Sequence, residues 1–152
     1  MIKQLPISFL ASHKSDVRSQ FAALCFRVKR NKAEVLLVTA RGSGRWILPK
    51  GWPIDGMTPA GSAAQEAWEE AGVRGKAYDR CLGLYSYSKS IAGAGLPIMV
   101  MIYPVRVREV ASDYPEAGQR TRKWFGARKA AKKVLEPELA RILKDFDPDL
   151  LG

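Results

Sequence analysis

Histidine is almost missing from this chain: His13 is the only one in 152 residues. Triads built on histidine are therefore excluded unless His13, in the leader, takes part, and no Cys/His metal spacing exists. Cysteine is nearly as scarce. Cys25 and Cys81 stand in apolar, strand-like contexts, which suits buried free thiols in a reducing cytoplasm better than a disulfide. No apolar run approaches the ~20 residues of a membrane span, so no membrane partner is expected. Residues 1–10 show neither the apolar core nor the small-residue cleavage site of a secretion signal, and a cytoplasmic location is expected. Internal repeats and low-complexity linkers are absent too. Acidic residues are the minority, 15 against 25 Lys and Arg, for a net charge of +10.

What remains suits one globular domain large enough to bury its own core: 47% hydrophobic and 26% charged residues are ordinary values. Residues 1–17 read as a weakly ordered leader, 18–146 as a single domain and 147–152 as a tail. The positive excess admits nucleic acid, an anionic surface or a highly phosphorylated small molecule as partner. The cations are dispersed (Lys29, Arg30, Lys32; Arg41, Arg45; Arg120, Arg122, Lys123; Arg128, Lys129, Lys132, Lys133), with no interleaved aromatic signature for RNA. A small phosphorylated substrate is favoured over nucleic acid.

The hydrophobic pattern sets the elements. Phe21–Val28 and Glu34–Thr39 predict a hairpin of buried strands joined by a basic turn. Residues 40–45 form a Gly-rich turn without a phosphate-loop or dinucleotide pattern, and Trp46–Leu48 a short strand. Residues 77–88 should be extended, 89–96 a Gly/Ala-rich loop carrying Lys89, and Pro97–Val107 a long strand. Beyond a polar loop over 113–121 come a short strand, Arg122–Phe125, a helix over 127–135, and a last helix from Pro137 to Leu143.

One helix stands apart. Thr58 caps its start, Pro59 fits its first turn and Gly72 supplies its left-handed stop. Ala60, Ala64, Ala67 and Ala71 share a small-residue face suited to close packing on a sheet. Glu66, Glu69 and Glu70 share another, at i, i+3 and i+4. Like charges at that spacing cost roughly 0.2–0.5 kcal/mol per pair, and anions near a helix C-terminus about 0.3–1 kcal/mol each. A helix built for stability alone would carry Lys or Arg there. Hard oxygen ligands on one face suit a hard divalent cation, which offsets both penalties.

The spacing from Gly51 through Glu66, Glu69, Glu70, Gly72 and Val73 resembles the Nudix box, G-x5-E-x7-R-E-U-x-E-E-x-G-U. Met57 stands at the first Glu position of that signature, Gln65 at its Arg position and Ala67 at the apolar one. The resemblance implies an α/β fold, an α/β/α sandwich with a mixed β-sheet between helices. It also implies hydrolysis of a diphosphate linked to another group. By position, Glu66 and Glu70 hold Mg²⁺, with the Lys50 backbone carbonyl as a further ligand; Mn²⁺ is an acceptable substitute, because both take octahedral oxygen ligands. Glu69 is general base or a water-mediated ligand, and Glu66 and Glu70 remain candidates for the base. Arg18, Arg41, Arg45, Lys50, Gly51 and Lys89 are the expected substrate contacts, Arg for bidentate phosphate recognition and Lys as point charges. Trp52 either stacks on a base or packs, with packing favoured; Trp68, Trp124 and Phe125 are expected in the core.

Within that family the chain looks most like diphosphoinositol polyphosphate phosphohydrolases, through Arg18, Ala22–Arg27, Val35–Val38, Trp46–Gly51 and Arg122–Phe125. Leu48–Gly51 is also similar to diadenosine polyphosphate hydrolases. Two other functions fit the same residues: a hydrolase of another nucleoside diphosphate derivative, or a non-catalytic nucleotide-sensing module. The retained acids argue against the second.

Overall fold

The computed structural model describes the backbone of residues 18–91 and 94–152, with side chains throughout except at 89–91 and 94–96. The leader and His13 lie outside the described residues. At the centre runs β1 (Ser19–Lys29). It pairs antiparallel with β2 (Lys32–Thr39) and with β4 (Lys50–Gly51), and parallel with β7 (Ala94–Val110). The remaining described strands are β3 (Trp46–Ile47), β5 (Val73–Ala77), β6 (Gly83–Ile91) and β8 (Arg122–Gly126). All eight join one mixed sheet.

The continuous apolar run of β1 is explained by burial on both faces. Phe21, Ala23 and Cys25 point to one side, toward helix α1 (Pro59–Ala71). Ala22, Leu24 and Phe26 point to the other, toward α2 (Ala127–Lys133) and α3 (Pro137–Lys144). The arrangement is the α/β/α sandwich that the sequence led us to expect. Ala60, Ala63, Ala67 and Ala71 of α1 are buried against the sheet, so the backbones approach closely; Ala63 takes the place expected of Ala64, which is only half-buried. Across the sheet, Leu139 and Leu143 of α3 are fully buried, each worth about 1.5–3 kcal/mol of apolar transfer.

Several expectations are corrected. Residues 89–96 are not a loop: β6 and β7 pair as a hairpin out to Ile91 and Ala94, and their Gly/Ala composition hides the pairing. β5 is a strand where the sequence suggested none, because only Val73 of it is buried and no alternation shows. Cys25 is buried, but Cys81 is exposed, since it precedes β6 rather than lying in a strand. Trp68 is half-buried outside both core clusters, roofed by the Arg74 guanidinium 3.5 Å from its ring centroid. Trp52 packs against the core, and so does Trp124, beside the buried Phe125. No helix among the described residues is long and apolar enough to cross a membrane.

Candidate active site

The site begins with the register of two strands. Phe21 pairs with Gly51 and Ala22 with Lys50, which lays β4 along the start of β1 and against the last turns of α1. A Cβ at Gly51 would fall on the Glu66 carboxylate and push it aside. One residue earlier, the Lys50 N–H donates to Glu70 Oε1 at 3.4 Å. Glu70 is only 6% exposed. Its carboxyl stands close enough to that of Glu66 for each to shift the other's proton affinity.

A polar segment after β7 folds over this end of α1. The Ala111 N–H donates to the Gly72 carbonyl at 2.8 Å and the Glu116 N–H to the Glu69 carbonyl at 3.0 Å. Arg122 Nη1 donates to the Ala71 carbonyl at 2.7 Å. Gly72 sits at φ +66° beneath the Tyr114 ring, where a side chain would have no room. The Arg120 side chain is 9% exposed, with Nε 3.0 Å from Glu116 Oε1, Nη2 3.9 Å from Glu70 Oε2 and Nη1 donating to the Thr39 carbonyl at 3.1 Å. The cations that α1 lacks in its last turn thus arrive from another part of the chain, where they satisfy its terminal carbonyls and face its acids.

Arg120 does not cancel the crowding. Burial pushes the Glu70 carboxyl up to about 8, against the pull of Arg120 and with the help of Glu66. Burial also raises Glu66, the hydrogen bond from Glu70 opposing and the Glu69 and Glu116 charges adding. A buried and a half-buried carboxyl whose proton affinities are both raised form a donor set short of positive charge, and a hard cation fits that need. Among the described residues, no three His, Cys, Asp or Glu side chains stand close enough together to enclose an ion. Beside the pair, Glu69 Oε2 accepts from Gln65 Nε2 at 2.9 Å, and its charge still bears on Glu66.

The expected substrate contacts are scattered more widely. Lys50 holds its Nζ 4.7 Å from the Tyr87 ring centroid. Arg41 Nη1 donates to Gln119 Oε1 at 3.1 Å, and Arg45 Nη1 lies 3.8 Å from Glu136 Oε2. Arg18 is exposed just ahead of β1, its carbonyl accepting from the Met99 N–H. Lys89 lies in β6 opposite Leu96, its side chain outside the described ones. The structure therefore brings Glu66, Glu70, Lys50 and Gly51 together. Sequence reasoning missed Glu116 and Arg120; their only signal is an i, i+4 opposite-charge spacing in a polar loop. A second polar group stands on the other side of β4: Tyr87 Oη donates to Gln20 Oε1 at 2.6 Å, beside the buried Tyr85 and Glu136.

An α/β/α sandwich with a carboxylate pair between a glycine loop and the end of a helix defines a hydrolase scaffold of one particular class. The model of the NUDIX domain matches residues 18–146, and the chain belongs to the Nudix hydrolase family. It is 32% identical over 117 residues to diphosphoinositol polyphosphate phosphohydrolase 3-alpha of Homo sapiens, covering 76% of this chain and 68% of that protein. Against diphosphoinositol polyphosphate phosphohydrolase 2 of Rattus norvegicus it is 31% identical over 121 residues, 78% and 64% of the two chains. The fold is shared with the crystal structure of C. elegans Ap4A hydrolase (TM-score 0.65, 22% identity, 88% of this chain and 98% of that one). It is also shared with the NUDIX domain of Shewanella oneidensis NrtR complexed with ADP ribose (TM-score 0.60, 17% identity, 90% and 95%). Hydrolases of this family generally use divalent cations.

Proposed function

We propose that the protein is a divalent-cation-dependent hydrolase that cleaves a diphosphate bond in a phosphate-rich small molecule, a diphosphoinositol polyphosphate or a dinucleoside polyphosphate. The observation that carries this reading is the Glu66–Glu70 pair, with the Glu66 carboxylate against Gly51 and the buried Glu70 accepting from the Lys50 N–H. In this reading Glu66, Glu70 and the Lys50 carbonyl hold Mg²⁺, or Mn²⁺ in its place. Held there, such a cation would supply charge neutralisation for phosphate oxygens and a lowered pKa for a bound water. Glu69, held by the Gln65 amide, serves as general base. Gln65 thereby does with a neutral donor part of what an Arg at that position would do. Arg18, Arg41, Arg45, Lys50 and Lys89 serve the phosphates, with Gly51 keeping the loop close, and the working location is the cytoplasm. The names of the relatives support both substrate classes.

Phosphate release tests it, on a panel of a diphosphoinositol polyphosphate, diadenosine polyphosphates, an ADP-sugar and nucleoside triphosphates. Each is run with Mg²⁺, with chelator, and with Glu69→Gln and Glu70→Gln. Cation-dependent turnover lost in both variants is expected. No turnover on any member, with tight cation-independent binding of one, overturns the enzyme reading in favour of a sensor.

A further inference from the structure

Cations that are dispersed along the sequence converge in the fold. Helices α2 and α3 pack together on the face of the sheet opposite α1, and a cavity of about 680 Å³ is lined by both. Arg128 and Lys132 come from α2, Arg141 and Lys144 from α3, and the half-buried Ala131 and Ala140 supply its apolar part. A second cavity, of about 450 Å³, shares Arg128 and Lys144 and adds Lys32, Lys129 and Phe146. The shared residues join the two into one groove. Six cations line it against a single acid, Asp145. All six are exposed, and none is ion-paired among the described residues.

Helix chemistry accounts for only part of this set. Lys132 stands in the last turn of α2, and Arg141 and Lys144 in that of α3, where cations suit the dipole. Arg128 and Lys129 stand in the first turn of α2, the positive end, with no acid beside them there. Lys32 arrives from β2. Along each helix the cations repel at i, i+4 and i, i+3. Stability alone would not gather them, whereas an anion lying along the groove offsets the repulsion throughout. The reacting phosphates do not account for them either, because the acid pair lies on the α1 side of the sheet.

The lining narrows the kind of anion. Two joined cavities suit a linear anion better than a compact one. Of the large hydrophobic side chains that are exposed, none lines the groove. A protein interface is anchored on such residues, and a membrane surface is met by an apolar face rather than by a cleft. A nucleic-acid strand presents phosphates at regular intervals, with sugars that can lie on alanines and on the aliphatic stems of Lys and Arg.

We propose that the α2–α3 groove binds the sugar–phosphate backbone of a single-stranded nucleic acid, at a site separate from the acid pair. The contacts are to phosphate, so the binding carries no sequence preference. The test is fluorescence anisotropy of a labelled oligouridylate and a labelled oligodeoxythymidylate with the full chain, between ~50 and ~200 mM salt. Four phosphate contacts give a slope of about −3 for log affinity against log salt. Lys132→Glu with Lys144→Glu should weaken binding about tenfold or more and flatten the slope to about −1.5. The control, Lys76→Glu with Arg108→Glu on β5 and β7, makes the same change in net charge and should stay within about threefold of wild type. Melting temperature monitors folding; if the first pair does not fold, Lys132→Gln with Lys144→Gln carries the comparison. Binding of one strand and not the other supports the site and assigns it to that nucleic acid. Equal losses in the two pairs, or binding confined to polyglutamate, inorganic polyphosphate or anionic vesicles, overturn the proposal, as does absence of binding to both strands.

Discussion

Helices α1 and α3 pack on opposite faces of β1, yet they obey the rules of helix construction to very different degrees. In α3, Pro137 opens the first turn, Glu138 sits at the positive end, Arg141 and Lys144 sit at the negative end, and Leu139 and Leu143 fill one stripe. Apart from an N-cap, Glu136, whose side chain makes no capping bond, these local choices agree with the fold. In α1 the caps are better, with Thr58 accepting from the Gly61 N–H and Gly72 closing the end, but no acid occupies the first turn and no base the last, and the Glu residues crowd the wrong end. Its buried face is made of alanines, which add little apolar area but allow close approach. The contrast separates a helix that holds the sheet from one that holds a site: the rules are broken where chemistry is placed, and Arg120 and Arg122 from outside the helix offset part of the cost.

The largest effect should come from the helix that breaks the rules. Glu70→Gln is expected to lower turnover on the order of a hundredfold or more at saturating cation, while the melting temperature in chelator at pH 8 stays level or rises. Activity within twofold of wild type would remove Glu70 from the site. Leu143→Ala should do the reverse, losing about 2–5 kcal/mol in urea unfolding with kcat held within about twofold below the transition.

The pH dependence sharpens the comparison. Glu70 has its folded value raised from 4.5 to about 8, so between those values the folded state binds more protons than the unfolded one. Without cations, its contribution is therefore fully present below about 4.5 and is lost as pH rises through about 8. Thermal melts in chelator should show stability falling across that window, the fall flattened in Glu70→Gln and reversed by added Mg²⁺. A fall of the same size in Glu70→Gln would assign it to other groups. The smallest effect belongs to Gln65→Leu, which removes the hydrogen bond to Glu69. A bond worth about 1 kcal/mol corresponds to a several-fold loss of kcat, with unfolding midpoints unchanged; equal kcat would mean that Glu69 needs no such support.

Much of this molecule is legible without coordinates. The central hairpin, the capped helix and its Glu residues all follow from period, capping chemistry and spacing, because each depends on residues within a few positions of one another. The edge strand β5 and the β6–β7 hairpin tip are not legible. Strand pairing there is fixed by backbone hydrogen bonds to a distant partner, and Gly, Ala and exposed side chains leave no alternation. Glu116 and Arg120 were hidden for the same reason: their meaning depends on a loop some fifty residues beyond the helix it covers.

The sequence by itself determined which residues bear charge, which helix carries the acids and how near the Gly51 loop stands to them along the chain. Only tertiary structure decided that Glu66 and Glu70 raise each other's proton affinity while Glu69 accepts from Gln65, and that Arg45 meets Glu136 rather than the acid pair. The physical reason is burial. A carboxylate in water is much like any other, and its proton affinity and preferred partner depend on what the fold places within a few ångströms of it and on how much solvent it excludes.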